Sequence, residues 1–173
     1  MSILIIPGWQ NSGDGHWQTR WQAALPDAVR VEQDDWDDAH RDAWVARLGE
    51  AIAACSEPPV LVAHSLGVLT VVEWAAETGG AGVRGALLVT PPDMDNVDEP
   101  GITGYAPIPT ARLPFPAILV GSRSDQWMTF ERAAELAAAW GARLHDAGDA
   151  GHVNTDAGYG PWPEGEKLLA ELR

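Results

Sequence analysis

The sequence predicts an α/β fold in which helices cover both faces of a parallel sheet. Short apolar runs, of the length typical of buried strands, alternate with helical patterns along the chain. The chain has 173 residues, enough for one domain with a substantial core. We therefore expect a single domain over residues 1–173, with its parallel strands joined by right-handed crossovers.

Six apolar runs are the candidate strands. Four of them are strong, at residues 3–6, 60–63, 86–89 and 117–120. Two are weaker, at residues 29–31 and 143–145. Continuous apolar runs of this length are typical of parallel strands that are buried on both faces.

The helices are indicated by apolar residues at three- and four-residue spacing, and we expect the tryptophans among them to lie in the core. The apolar faces are Trp17, Trp21 and Leu25; Trp44, Leu48 and Ile52; and Ala133, Leu136 and Trp140. Capping preferences predict where the helices begin and end. The candidates are Asp14, Asp38 and Thr129 as N-caps, Gly79 and Gly141 as C-terminal stops, and Pro163 in the first turn of a final helix.

Residues 91–116 are the long exception, rich in proline and glycine and without a periodic pattern. Loops of this length in compact domains are usually functional or mobile. Two interpretations stay open for its apolar side chains, which either line an acyl pocket or pack the segment onto the domain. These side chains are Met94, Ile102, Tyr105 and Ile108. The segment is too short to form a large cap domain.

Residues 60–67 are the most informative stretch for function. The apolar run ends in Ala63-His64-Ser65-Leu66-Gly67, and an apolar helical pattern follows directly. A serine in such a strand-turn-helix is the nucleophile elbow of α/β-hydrolases, which exposes the hydroxyl above a helix N-terminus. Ala63 replaces the usual first glycine with the smallest alternative side chain. Ser65 is the candidate nucleophile, and the competing interpretation is a β-α turn whose serine only caps the helix.

A nucleophilic serine needs a base and an acid that orients the base, and downstream strand ends supply both. Asp125 follows the strand at 117–120, and His152 lies in a glycine-rich loop after the last candidate strand. The chain order Ser65, Asp125, His152 is the order of α/β-hydrolases. His16, in the loop after the first strand, is the competing histidine, which either borders the site or caps its own helix.

Acyl transfer also requires hydrogen-bond donors for the oxyanion. The amide after the nucleophile is the usual first donor, which points to Leu66. The second donor comes from the loop after an early strand, where Pro7-Gly8-Trp9 occupies the position of a His-Gly-x sequence. Trp9 is the candidate, with Gln10 as the neighbouring alternative.

Over nearly its whole length the chain resembles the small serine hydrolases grouped with YdeN and retinoblastoma-binding protein 9. The resemblance lies in residues 5–10, 16–21, 33–36, 63–67, 121–125, 151–154 and 160–165. It implies a compact α/β-hydrolase with about six parallel strands in the order 2-1-3-4-5-6 and no large cap domain. It also implies the Ser65, Asp125, His152 arrangement, while the family's physiological substrates are poorly defined.

Composition excludes several classes of function. A net charge of −14 and a pI near 4.5 argue against nucleic-acid binding, which needs basic patches. The single cysteine, Cys55, excludes an intramolecular disulfide framework, and no Cys/His cluster has zinc spacing. The apolar run at residues 3–6 is too short for a signal peptide or a membrane span. We expect a cytoplasmic protein without a metal or cofactor.

The sequence thus predicts a serine hydrolase that cleaves small-molecule carboxylic esters with small or medium acyl groups. A thioesterase or an amidase would use the same residues. A weakly active binding or regulatory protein that keeps the fold is the alternative from another class. A protein partner and the oligomeric state are not predicted.

Overall fold

The predicted strands are present, with two additional two-residue strands between them. The computed structural model describes residues 2–173. The strands are β1 (Ile3–Ile6), β2 (Ala28–Arg30), β3 (Ala39–His40), β4 (Val60–His64), β5 (Gly85–Val89), β6 (Ile102–Thr103), β7 (Ala117–Gly121) and β8 (Arg143–Asp146). The helices are α1 (Trp17–Ala24), α2 (Arg41–Ala53), α3 (Leu66–Thr78), α4 (Phe130–Trp140) and α5 (Pro163–Ala170).

The main sheet has six parallel strands in the order β2-β1-β4-β5-β7-β8. When the short pair β3 and β6 is left aside, this is the expected order 2-1-3-4-5-6. β1 pairs with β2 on one side and with β4 on the other, so the strand order reverses between β1 and β4. A crevice forms outside the carboxyl ends of the strands at such a reversal. The residues that follow β1 and β4 therefore meet there.

Alternate strand residues face two separate cores. Along β1, Ile3 and Ile5 belong to one core, and Leu4 and Ile6 belong to the other. Helices α1 and α5 cover the first core, and α2, α3 and α4 cover the second. Helices on both faces explain why the four inner strands β1, β4, β5 and β7 are buried along their whole length and almost entirely apolar. No helix within residues 2–173 combines the length and apolar character that crossing a membrane requires.

The predicted core tryptophans are buried, and three indoles form a cluster within the first core. The Trp17 ring lies 4.8 Å from Trp21 and 4.9 Å from Trp162, centroid to centroid. The rings of Trp21 and Trp162 are stacked at 5.8 Å. Trp17 Nε1 donates to the backbone carbonyl of Val153 over 2.8 Å, so this cluster holds the loop that contains His152.

Most of the predicted helix ends are confirmed, but two of the predicted N-caps are wrong. Thr129 caps α4, Gly79 and Gly141 end helices in left-handed conformations, and Pro163 begins α5. His16 rather than Asp14 caps α1, because its Nδ1 accepts the Gln18 amide proton over 3.2 Å. His40 rather than Asp38 precedes α2, because pairing with β6 keeps the chain extended through His40.

Residues 91–116 pack onto the domain instead of forming a separate cap. The Tyr105 hydroxyl lies 2.9 Å from Thr70 Oγ1 on α3, and both side chains are buried. Trp140 Nε1 donates to the Pro109 carbonyl over 2.7 Å. Met94 and Ile108 are part of the second core. For three of the four apolar side chains, the packing interpretation is therefore the one that holds.

Gly67, the second residue of α3, allows that helix to lie directly against β1. A Cβ at Gly67 would lie 2.6 Å from the Pro7 carbonyl oxygen and closer still to that of Ile6. We expect Gly67→Ala to lower the free energy of unfolding by about 1–3 kcal/mol, since rigid backbone atoms have to move. Urea unfolding measures the change.

Gly49 in the interior of α2 is the matched control for this substitution. An added Cβ there meets its nearest atom, Trp74 Nε1, at an ordinary 3.5 Å. Gly49→Ala should therefore raise the free energy of unfolding by about 0.5–1 kcal/mol through helix propensity. Equal stability changes at the two glycines would contradict the close-approach argument.

Candidate active site

Ser65 lies in the tight turn between β4 and α3, with φ 54° and ψ −126°. A non-glycine residue rarely adopts a positive φ, and its presence here is a local strain. The turn is held because the Ser65 amide donates to the Val89 carbonyl over 2.9 Å. The serine side chain makes no capping bond to α3. The helix-cap interpretation of Ser65 is therefore not the one that the structure adopts.

The structure brings the predicted nucleophile Ser65 together with His152 and Asp125. Ser65 Oγ lies 2.9 Å from His152 Nε2, and His152 Nδ1 lies 3.0 and 3.1 Å from the two Asp125 carboxylate oxygens. The Asp125 side chain is only 2% exposed, and its Oδ1 also accepts the Trp127 amide proton. A carboxylate on Nδ1 fixes the tautomer that leaves Nε2 able to accept the serine proton.

Two side chains that sequence reasoning did not assign to the site hold the backbone of His152. The His152 carbonyl accepts hydrogen bonds from His64 Nε2 over 2.8 Å and from Thr90 Oγ1 over 3.1 Å. Thr90 and Val153 have φ of 44° and 46°, strained values for β-branched residues. In the sequence, the only sign that His64 belongs to the site was its position next to Ser65, and Thr90 carried no such sign.

His16 and His64 form a row of imidazoles that ends at His152. The ring centroids are 4.8 Å apart between His16 and His64, and 5.0 Å apart between His64 and His152. Burial, helped by Arg30 and His152, lowers the pKa of His16 to about 4. Burial also lowers the pKa of His64 well below its ordinary value. Both rings are therefore neutral near pH 7, and His16 both caps α1 and borders the site.

The loop after β1 lies against the Ser65 turn. A Cβ at Gly8 would lie 2.7 Å from Ser65 Cβ and 3.1 Å from the Leu66 amide nitrogen. The Gln10 amide already donates to the Trp36 carbonyl, and the Asn11 amide donates to the Gly8 carbonyl. Of the two candidate oxyanion donors in this loop, Trp9 and Gln10, the Gln10 amide is therefore already engaged.

Arg30, the last residue of the edge strand β2, holds this loop through hydrogen bonds. Gln10 and Asn11 both have φ of 63°, so two successive residues are left-handed. Arg30 Nη1 donates to Asn11 Oδ1 and, over 3.1 Å, to the Ser12 carbonyl. Its Nη2 donates to Thr19 Oγ1 over 2.7 Å. The guanidinium thus fixes a strained loop through neutral acceptors, and no sequence motif pointed to it.

Ser65 and His152 open into a cavity of about 430 Å³. Its apolar lining residues are Trp9, Pro92, Ile102 and Trp127. Its polar lining residues, together called the polar wall, are Gln10, Asn11, His16, Gln126, Asn154, Thr155 and Asp156. Ile102 is thus the one member of the predicted apolar set of residues 91–116 that lines the cavity.

Almost the whole chain matches one known protein family. The model of a family described as serine hydrolase matches residues 3–171. The chain belongs to this serine hydrolase family. No curated protein matches this serine hydrolase in sequence.

Three of the solved structures similar to this serine hydrolase show how widely its fold is shared. A YdeN-like hydrolase from Pectobacterium atrosepticum is 34% identical, with a TM-score of 0.88 over 99% of this chain and 89% of the other. The ydeN product of Bacillus subtilis is 19% identical, with a TM-score of 0.75 over 99% and 97%. The esterase RhEst1 from Rhodococcus, at 13% identity and a TM-score of 0.71 over 100% and 91%, shares the fold.

The buried His16 makes stability depend on pH. Its folded pKa of about 4 lies below the ordinary value of 6.5, so the unfolded chain binds more protons between these values. The free energy of unfolding should therefore fall as the pH drops from 6.5 towards 4, by roughly 3 kcal/mol at most from this group. His16→Asn keeps a capping side chain and should reduce that loss in urea unfolding measured against pH.

The exposed His40 is the matched control, and His40→Asn should follow the parent protein. The burial argument is wrong if His16→Asn loses as much stability in acid as the parent does.

Proposed function

We propose that this serine hydrolase cleaves carboxylic esters through an acyl-enzyme formed on Ser65. The observation that carries the proposal is the hydrogen-bonded chain from Asp125 through His152 to Ser65 Oγ, of which Ser65 and His152 line the cavity. The strained elbow supports it further, since the Ser65 hydroxyl bonds to an imidazole and not to its own helix.

In the acylation step, Ser65 Oγ attacks the ester carbonyl carbon while His152 Nε2 takes the hydroxyl proton. Asp125 holds the ring and stabilises the imidazolium. The Leu66 and Trp9 amides donate to the oxyanion of the tetrahedral intermediate. Collapse of that intermediate breaks the ester bond, and the imidazolium gives its proton to the leaving alcohol.

Deacylation uses the same groups with water as the nucleophile. His152 takes a proton from water, the hydroxide attacks the acyl carbon, and Ser65 leaves with the proton returned by His152. Every proton is carried by a protein side chain or by water, so the proposed reaction has no step for a metal or a cofactor.

The size and openness of the cavity favour small-molecule esters with small or medium acyl groups. Pockets of about 300–1,000 Å³ suit small ligands, and this one is about 430 Å³. Residues 91–116 pack on the domain and leave Ser65 without a large lid.

The cysteine content bears on where the protein acts. The protein has one cysteine, Cys55, whose thiol donates to the Ala51 carbonyl. Proteins without disulfides are typical of the cytoplasm, and we propose that this protein acts there.

The direct test is labelling by a fluorophosphonate, located by mass spectrometry on the folded protein. The parent protein should carry the label on Ser65 and hydrolyse p-nitrophenyl acetate. Ser65→Ala should lose the label and at least about 10³-fold in kcat, because no nucleophile remains. The exposed Ser56, which lies outside the site, provides the control Ser56→Ala. Ester hydrolysis by Ser65→Ala at the parent's rate would contradict the proposal.

The oxyanion loop has a separate test in Gly8→Ala. The added methyl group would lie 2.7 Å from Ser65 Cβ, so the loop that carries the Trp9 amide must withdraw. Loss of one oxyanion donor costs about 10²–10³-fold in kcat, with a smaller change in KM. Steady-state kinetics beside Gly49→Ala measure this, with circular dichroism as the check on folding. A kcat within about twofold of the parent's would rule out a role for this loop.

A further inference from the structure

The cavity beside Ser65 is lined almost entirely by neutral groups. Within residues 2–173, no lysine or arginine lines it, and Asp156 is the one carboxylate among its lining residues. His16 and His64, which also line it, are neutral near pH 7 because burial lowers the pKa of each. A carboxylate or phosphate on the substrate would find no cation here, and the net charge of −14 repels it.

Four side-chain amides line the same cavity: Gln10, Asn11, Gln126 and Asn154. Asn11 Oδ1 accepts the Ser12 amide proton over 2.7 Å, and Asn154 Oδ1 accepts the Ala157 amide proton over 3.1 Å. The NH₂ group of each is therefore left to donate to a ligand. Gln10 and Gln126 are exposed to the cavity. Each glutamine amide offers both a donor and an acceptor.

Two indoles provide flat apolar surfaces next to these amides. Trp9 is fixed, because its Nε1 donates to the Asp37 carbonyl over 2.8 Å and its ring lies against Gly101. The Trp127 ring centroid is 6.1 Å from that of His152. An indole face packs against C–H groups while its neighbours bond to polar substituents.

We propose that the leaving alcohol of the substrate is a neutral polyol such as glycerol or a sugar. This rests on the proposed ester hydrolysis at Ser65. Hydroxyl groups both donate and accept hydrogen bonds, as carboxamides do. A polyol is therefore chemically complementary to the polar wall of the cavity. The C–H faces of the same molecule pack on the Trp9 and Trp127 indoles.

The reaction chemistry places the polyol on the leaving side of the ester. The leaving oxygen has to lie at His152 Nε2, because that nitrogen supplies its proton. The polar wall includes Asn154, Thr155 and Asp156, which come two to four residues after His152 in the chain. The substituents of the leaving alcohol therefore meet hydrogen-bonding groups.

The test compares acetates that differ only in the alcohol, with acid release followed in a pH-stat. Glycerol 1-acetate and 2-methylbutyl acetate have the same shape, because a methyl group replaces each free hydroxyl. We expect kcat/KM for the glycerol ester to be at least about tenfold higher, since the apolar ester leaves desolvated amides unpaired. The anionic 3-acetoxypropanoate should be the slowest of the three.

Variants of the wall link this preference to the amides. Asn154→Leu and Gln126→Leu each keep the approximate volume of the side chain and remove its hydrogen bonds, so the tenfold ratio should fall to about threefold or less. Gln126 is exposed, so its replacement tests the idea even if Asn154→Leu disturbs its loop. The exposed Asn96, outside the cavity, gives the control Asn96→Leu, which should keep the ratio.

The outcomes separate this proposal from the one on which it rests. A protein that labels at Ser65 but hydrolyses 2-methylbutyl acetate or 3-acetoxypropanoate as fast as the glycerol ester overturns the polyol proposal and leaves the serine hydrolase proposal intact. A protein that neither labels nor turns over any acetate overturns both.

Discussion

The site depends on the close approach of two backbones at the reversal of strand order between β1 and β4. Gly67 lets α3 rest on the carbonyls at the end of β1, and Gly8 lets the following loop rest on Ser65 and Leu66. Any side chain at either position would separate the serine from the loop amides. Because parallel pairing of β1 with β4 brings these segments together, sheet topology and site geometry follow from the same contact.

Strain is concentrated around this contact and is held by many bonds. Ser65, Thr90 and Val153 all have positive φ, although none is glycine. Each is tied to a neighbouring element. The Ser65 amide bonds to β5, the Thr90 amide bonds to β7, and the Val153 carbonyl accepts from the Trp17 indole. Conformations that cost about 1–3 kcal/mol each persist only when the surroundings determine them in this way. The imidazole is therefore positioned before any substrate arrives.

Local patterns in the sequence were enough to predict what depends on local physics. The apolar runs predicted the strands because both faces of the sheet are covered, and the pentapeptide around Ser65 predicted the elbow because few residues fit that turn. Asp125 and His152 could be predicted from their places after strands. Arg30, Thr90 and the backbone contact of His64 could not, because each acts through a partner distant in sequence. At the start of α1, Asp14 was the predicted cap and His16 an open alternative, because a histidine ring accepts the amide proton that an aspartate usually takes.

Through the hydrogen bonds of Arg30, the edge strand β2 contributes to the candidate active site. Edge strands are usually the part of a sheet that tolerates substitution best, and Val29 beside Arg30 is 58% exposed. Here, however, the outermost strand carries the guanidinium that bonds to the loop after β1, where we propose the Trp9 amide as an oxyanion donor. A molecule that paired with this edge, or a replacement at position 30, would act on the proposed catalytic residues from outside the cavity. The periphery of the sheet is in this sense a remote part of the active site.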